Sequence, residues 1–328
     1  MRRSGRAGRG FAAAAGLLIA AAPAAAQVGS ALVAAPWAPG QRFGGESYVI
    51  GTATETLDDG FGPGDDLGLV RSVSFGRVRF EPDNPGGASA GFLADYLALD
   101  TDDPRLPDRL VNTAVAAGGT LGQLGEWQTG FTVGGGFAGD EPYADADGWY
   151  GLGSLFFRRR LPETPTFLTI LIDFDGSRAF LPDLPLPAVQ YTVRESATLT
   201  YSLGLPFSSI RWQPADRWLI EGRFLIPTAG SLDVTYSFGE RWSAYGAYEA
   251  STRGFHLEGD DEHRRLFFEQ SRLEAGVRHA WTDELRLYAA AGYAFQQEFN
   301  RGFDSRDVRR VRDVEDSAYF RVGVTAGF

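Results

Sequence analysis

The chain has 328 residues, with 42 acidic against 31 basic side chains and a formal net charge of −11. That balance argues against a nucleic-acid partner, which needs a basic face. There is no cysteine, so disulfide stapling and thiolate chemistry are excluded and zinc loses its best ligand.

The first ten residues, MRRSGRAGRG, carry four arginines, and FAAAAGLLIAAA follows as an unbroken apolar run. Ala24 and Ala26 occupy the small-residue positions of a cleavage site. The layout predicts a secretory signal peptide over 1–26, since the apolar run is too short to anchor in a bilayer. The mature chain then starts at Gln27, with an N-terminal segment over 27–43 and the remainder, 44–328, forming one domain. No cysteine follows the cleavage point, which excludes a lipoprotein anchor. Removing the four arginines leaves 27 basic side chains against 42 acidic ones, a balance of −15, and every basic residue is arginine. About 300 mature residues suit two ordinary domains or one large all-β domain. No later apolar stretch approaches the ~20 residues of a membrane helix.

From residue 44 onward the pattern has period two. About fourteen segments (alternatively twelve) alternate apolar with polar or small residues, the signature of barrel strands. They fall near 44–56, 68–81, 88–98, 109–121, 126–138, 148–159, 166–176, 191–213, 217–227, 230–239, 241–257, 264–281, 284–300 and 314–328. In WQTGFTVGGGF, Trp127, Thr129, Phe131, Val133 and Phe137 share a face. In SLDVTYSF, Leu232, Val234, Tyr236 and Phe238 oppose Ser231, Asp233, Thr235 and Ser237. In LRLYAAAGYAF the odd positions from Leu285 to Phe295 form one face.

Tight links (QLGE, LPETP, QPAD, GER, TDE) alternate for the most part with longer polar ones such as LDDGFGPGDDLG and AGDEPYADADG. Short turns at a periplasmic rim and long outer loops produce that alternation. Trp127, Trp212, Trp218, Trp242 and Trp281 all lie beside short turns, where an aromatic girdle meets the headgroups. The fold class read from these patterns is all-β: a transmembrane antiparallel up-and-down β-barrel. The proline-rich PDLPLPAV at 182–189 reads as a loop, either inserted into the barrel or stiff on its surface.

Extending the parity inward places Arg194, Glu221, Arg223, Asp233, Glu249, Arg253, Arg272, Glu274, Arg278, Arg286, Glu298 and Arg321 on lumen faces. Arg278 and Arg286 flank the TDE turn with the same inward parity, and with Glu274 they form part of one expected electrostatic patch. Charges of both signs suit a hydrated constriction, or a closed interior held by structural ion pairs. The outer loops are acidic, with Asp58, Asp59, Asp65, Asp66, Asp102, Asp103, Asp140, Glu141, Asp145, Asp147, Asp260, Asp261 and Glu262. None of these runs has calcium-loop spacing. A hydrolase would need a serine activated by histidine. Of the three histidines, His279 shares the parity of Trp281, and His256 and His263 flank an outer loop with Ser251 and Asp260 nearby. No nucleophile motif accompanies them.

The chain closes on SAYFRVGVTAGF. Ala318, Phe320, Val322, Val324, Ala326 and Phe328 lie on one face. This ending resembles the C-terminal signal of bacterial outer-membrane β-barrel proteins, and the strand-and-girdle pattern extends the likeness over nearly all the mature chain. One departure is Ala326, where that family usually has a larger residue. The resemblance implies that Phe328 and its strand are read by the barrel assembly machinery and close against the first strand. It also implies outer-membrane lipid as the surroundings. The functional expectation is porin-like passive transport of small solutes or ions. The alternatives are a structural or adhesin-like barrel with a closed interior and, less favoured, a lipid hydrolase. No enzyme activity, cofactor or metal is implied, and no solute or oligomeric state is assigned.

Overall fold

The computed structural model describes residues 40–53, 55–58, 65–84, 86–162, 164–227, 229–260 and 264–328. The expected signal peptide and residues 27–39 lie outside them, as do Asp59, Asp261, Glu262 and His263. The first half of the chain supplies β1 (Phe43–Thr52), β2 (Glu55–Asp58), β3 (Asp65–Arg79), β4 (Ser89–Asp100), β5 (Arg109–Leu124), β6 (Trp127–Gly139), β7 (Trp149–Arg160) and β8 (Thr166–Asp175). It continues with β9 (Leu186–Arg194), β10 (Leu199–Leu205), β11 (Phe207–Ala215), β12 (Trp218–Leu225) and β13 (Ala229–Ser237). The remainder forms β14 (Trp242–His256), β15 (Arg265–Ala280), β16 (Leu285–Gly302), β17 (Val308–Val314) and β18 (Ser317–Gly327).

Sixteen of these strands form a closed antiparallel up-and-down ring, in which β3 to β16 pair consecutively and β16–β18–β1–β3 completes the circle. The short strands β2 and β17 stand outside the ring and pair with each other and with β3 and β16. Closure satisfies every strand edge, which is what hydrocarbon demands of backbone groups. At the seam, Gly44 to Thr52 pair with Gly327 to Tyr319. The carbonyl of Phe328 accepts the amides of Arg42 and Phe43 at 2.5 and 2.8 Å. The Phe43 and Phe328 rings stack with centroids 5.2 Å apart.

The strand count exceeds the sequence-based fourteen, and the excess lies in one place. The segment 191–213 reads as one alternating run, but it holds the end of β9, all of β10 and most of β11. A turn at Glu195–Thr198 reverses the chain, with the Ser196 hydroxyl accepting the amides of Thr198 and Leu199. A second reversal passes through Pro206, where the Ser208 hydroxyl donates to the carbonyl of Gly204. An even-numbered turn preserves parity, so alternation alone does not reveal it. The proline-rich segment 182–189 is likewise part strand, since Leu186 to Val189 belong to β9.

Outward faces are apolar around the ring: Val115 is 65% exposed, Leu203 61% and Phe320 71%. Trp212, Trp218, Trp242 and Trp281 are exposed at the periplasmic end, and Arg159 lies over Trp127 there. Gly125, at φ 61°, makes the tight turn before Trp127. Close strand approach requires glycine at Gly134, where a Cβ would sit 2.2 Å from the carbonyl oxygen of Val115.

The wall is uneven. Strands β3 to β7 and β14 to β16 run 12 to 18 residues, whereas β9 to β13 run 7 to 9. A tilted strand needs about 9–11 residues to cross the hydrocarbon, so the short wall ends at the membrane surface while the tall wall rises above it.

The barrel is also pinched. At its outer end, β14 meets β6 across the interior through a parallel bridge at His256 and Gly139. The Asp140 amide donates to the His256 carbonyl at 3.3 Å, and the Asp140 carboxylate accepts the Glu258 amide at 2.9 Å. Seven ring strands lie on each side of this bridge.

Candidate functional site

The pinch separates two interiors of opposite character. On the tall side, inward side chains fill the space. An outer layer packs Leu57, Leu67, Leu69, Leu97, Leu110, Phe255, Leu266, Phe268 and Phe299. Beneath it Tyr48, Val73, Phe75, Leu93, Tyr288 and Tyr319 form a second cluster.

Several buried charges on this side are paired. Arg321 reaches Glu46 at 3.0 Å and Glu274 at 2.9 Å, and its guanidinium lies 4.0 Å from the centroid of Tyr48. Glu274 also accepts the hydroxyls of Tyr245 and Tyr319, at 3.1 and 2.9 Å, and Glu46 accepts that of Tyr288. Arg71 forks onto Asp95 at 2.8 and 2.6 Å. Arg272 pairs with Glu249 at 2.8 Å. Charges removed from water persist only when geometry and hydrogen bonding compensate them, and these pairs supply much of that compensation.

On the short side, most inward residues along the middle of β9 to β13 are hydroxyls, amides and charges. Thr192 bonds Ser202 at 2.8 Å, Arg211 meets Glu221 at 2.5 Å and Arg278 grips Asp233 at 2.5 Å. Thr192, Ser209, Arg211, Ser231, Asp233 and Thr235 all keep partial exposure. A cavity of 380 Å³ follows this surface on the periplasmic side, lined among others by Arg211, Glu221, Arg223, Asp233, Arg278 and Arg286.

The charges singled out from sequence border one cavity but differ in burial. Glu274 and Arg321 belong to the packed network that forms part of its wall, together with Glu249 and Arg272. Asp233, Arg278, Arg286, Glu221 and Arg223 line the rest of it. Arg278 binds Asp233 and Thr235, and it lines the same cavity as Glu274 and Arg286. The Arg286 side chain lines the cavity at its periplasmic end. Arg194 is exposed at the end of β9 and lies 5.6 Å from the centroid of Phe167.

Glu298 stands on the opposite face from the one its parity predicts. The bulge at Gln296, which has φ 51°, shifts the β15–β16 register. Phe299 then enters the core, and Glu298 pairs with the exposed Arg310 at 3.1 Å.

Sequence reasoning missed Glu46, Arg71, Asp95, Tyr245, Tyr288 and Tyr319. The same inward parity, applied to β1, β3 and β4, marks the first three. The tyrosines share the inward parity of their strands, Tyr245 with Glu249, Tyr288 with Arg286 and Tyr319 with Arg321, but carry no charge to single them out.

The connection from β8 to β9 crosses the outer mouth. Arg265 donates to the carbonyls of Arg178 and Phe303 at 3.1 and 2.9 Å. The Ser305 amide reaches the carbonyl of Ala179 at 2.8 Å. Asp304 accepts the Leu181 amide at 3.4 Å and binds Arg306 at 2.6 Å, while Arg306 covers Phe180.

Elsewhere, His279 lies 4.2 Å from the ring of Trp242 on the outer face. The Ser251 hydroxyl accepts from Arg253, and Asp260 pairs with Arg301. Asp103 is buried against Arg312 and Arg105.

A closed antiparallel ring with an apolar exterior and an aromatic belt defines a transmembrane β-barrel of the bacterial outer membrane. No family model and no curated protein matches the sequence. Among solved structures, the chain is similar to the COG4313 outer membrane channel from Pseudomonas putida F1, at 12% identity and TM-score 0.40, covering 89% of this chain and 97% of that one. It is similar to a deletion mutant of the TodX monoaromatic hydrocarbon channel, at 11% identity and TM-score 0.40, covering 90% and 91%. It is also similar to the β domain of the Bordetella autotransporter BrkA, at 13% identity and TM-score 0.34, covering 88% and 100%. Likenesses this distant carry no argument about what passes through the chain.

Proposed function

We propose that the chain is a passive channel for small hydrophilic solutes, with its path along the polar interior of β9 to β13. The observation that carries this reading is the contrast between the two interiors. One is filled by apolar side chains and buried, largely paired charges; the other keeps hydroxyls and guanidinium groups partly exposed along a cavity. Water fills a polar space of that size and leaves an apolar one dry. The tall, packed half serves as the rigid wall against which the passage is held. Phe328 and its strand act as the signal for the assembly machinery, and the surrounding partner is outer-membrane lipid.

The connection over the mouth favours a second reading, a closed barrel with a structural or adhesive role. Purified protein in planar bilayers separates the two. Steady open-channel steps support transport, and a persistently silent, correctly folded protein contradicts it.

A further inference from the structure

On the outer surface of the tall wall, strand register sorts the side chains into rows. One row joins Tyr248, Leu273 and Tyr293 on β14, β15 and β16, all exposed. The next joins Ala250, Ser271 and Phe295, whose ring lies 6.4 Å from that of Tyr248. Above it stand Thr252, Glu269, Glu298 and Asp313. Thr252 is the eleventh residue of β14, and a tilted strand needs about 9–11 residues to cross the hydrocarbon. The face therefore turns from apolar to polar where lipid chains give way to headgroups.

The short wall ends at this height. Ala229, the first residue of β13, pairs with Ser251, so β14 rises past the β12–β13 turn and leaves a step. The step holds a cavity of 520 Å³, bordered by Pro227 and Ala229 from the short wall and by Thr252, Ser271, Gln296 and Arg310 from the tall one. Glu269, Glu298 and Asp313 also line it. Arg310 binds Glu298 at 3.1 Å and Asp313 at 2.9 Å, and the Asn300 amide donates to Glu269 and Glu298 at 3.3 and 2.9 Å. Gln296 is exposed and holds φ 51°, a conformation glycine adopts freely and other residues adopt only under strain. That strained position keeps an amide at the cavity, its Oε1 accepting the Ser271 hydroxyl at 3.2 Å.

A mixed set of hydroxyls, amides and carboxylates matches sugar hydroxyls, each of which donates and accepts. Three carboxylates against one arginine in this lining disfavour a phosphate inside it. Directly beneath, the apolar rows offer a surface to acyl chains. We infer that the step binds the sugar headgroup of an outer-leaflet glycolipid, with its chains lying over Tyr248, Leu273 and Tyr293. The inference does not depend on whether the interior conducts.

The test uses the folded full-length protein in phosphatidylcholine vesicles that contain equal amounts of a neutral diglycosyl diacylglycerol and the same diacylglycerol without sugar. Native mass spectrometry then counts the lipids each barrel retains. Preferential retention of the glycolipid is expected. Glu298→Gln combined with Gln296→Gly should weaken it on the order of tenfold, the value of one hydrogen bond to a charged group, with heat-modifiable folding unchanged. Glycine relieves the strain at 296, so misfolding does not explain a loss. Equal retention of the two lipids, or undiminished retention by the folded variant, overturns the inference. Displacement of the glycolipid by phosphatidylglycerol overturns the sugar in favour of a phosphate, and displacement by the free disaccharide at matched concentration overturns the lipid as occupant.

Discussion

Arg321→Met isolates the claim that the tall side is a packed interior. Arg321 is the shared partner of Glu46 and Glu274, both nearly inaccessible, and its side chain is only 12% exposed. Methionine keeps most of the side-chain bulk against Tyr48 and removes the charge. Two buried carboxylates then remain, with tyrosine hydroxyls as their chief remaining support. Breaking a buried pair by deleting one partner costs roughly 3–5 kcal/mol, because the residual charge is stranded. Urea unfolding of the variant in lipid vesicles should show a loss of that size. Adding Glu46→Gln and Glu274→Gln should recover a large part of it, since no buried charge is then left. A loss below about 1 kcal/mol is the value of a hydrated surface pair and would refute a dry interior at this position.

Val322, on the outward face of β18 and 58% exposed, should cost about 2–4 kcal/mol when replaced by arginine if it meets the hydrocarbon midplane. Ser231→Arg on the lumen face should cost much less in the same vesicle assay. Phe328→Asp should lower the amount of heat-modifiable protein in outer-membrane fractions, and an unchanged amount would contradict its role in assembly. Gly134→Val should impair folding, because its Cβ would overlap the Val115 carbonyl oxygen. At the outer mouth, burial pushes the Asp304 carboxyl up, but hydrogen bonds from Arg306 outweigh it and hold the group below the ordinary carboxylate range. The clasp on Leu181 is therefore present above a pH of about 4, the unfolded carboxylate value, and is lost as pH falls through the lower folded value. Proteolysis of the 176–185 connection should rise only in that acid window, whereas Asp304→Ala should show the rise at neutral pH.

The lipid-facing half of the fold was open to sequence reasoning because a bilayer imposes one rule on every outward position. Leu203, Val115 and Phe320 follow it, as do the tryptophans at the periplasmic turns. The lumen obeys no such single rule. Where the backbone stays regular, parity places Asp233, Arg278 and Arg321 inward; where it bulges at Gln296, parity inverts and Glu298 turns out. The reversals at Glu195–Thr198 and Pro206 are invisible to alternation because both sides of each turn keep the same pattern. Division of the interior depends on β6 meeting β14, residues far apart in sequence, and no local pattern encodes that encounter. The strap from β8 to β9 is likewise set by Asp304 and Arg265, which lie more than eighty residues downstream.

The central claim, that solutes pass along β9 to β13 and not through the tall side, can be tested on single-cysteine variants because the chain has no cysteine of its own. A charged thiol reagent should react with Ser209→Cys and Ser231→Cys in folded protein and lower the open-channel conductance. Val73→Cys, buried in the packed side, should stay unmodified and conduct normally. Rapid block through Val73→Cys, with no effect at Ser209→Cys or Ser231→Cys, would contradict the assignment of the passage.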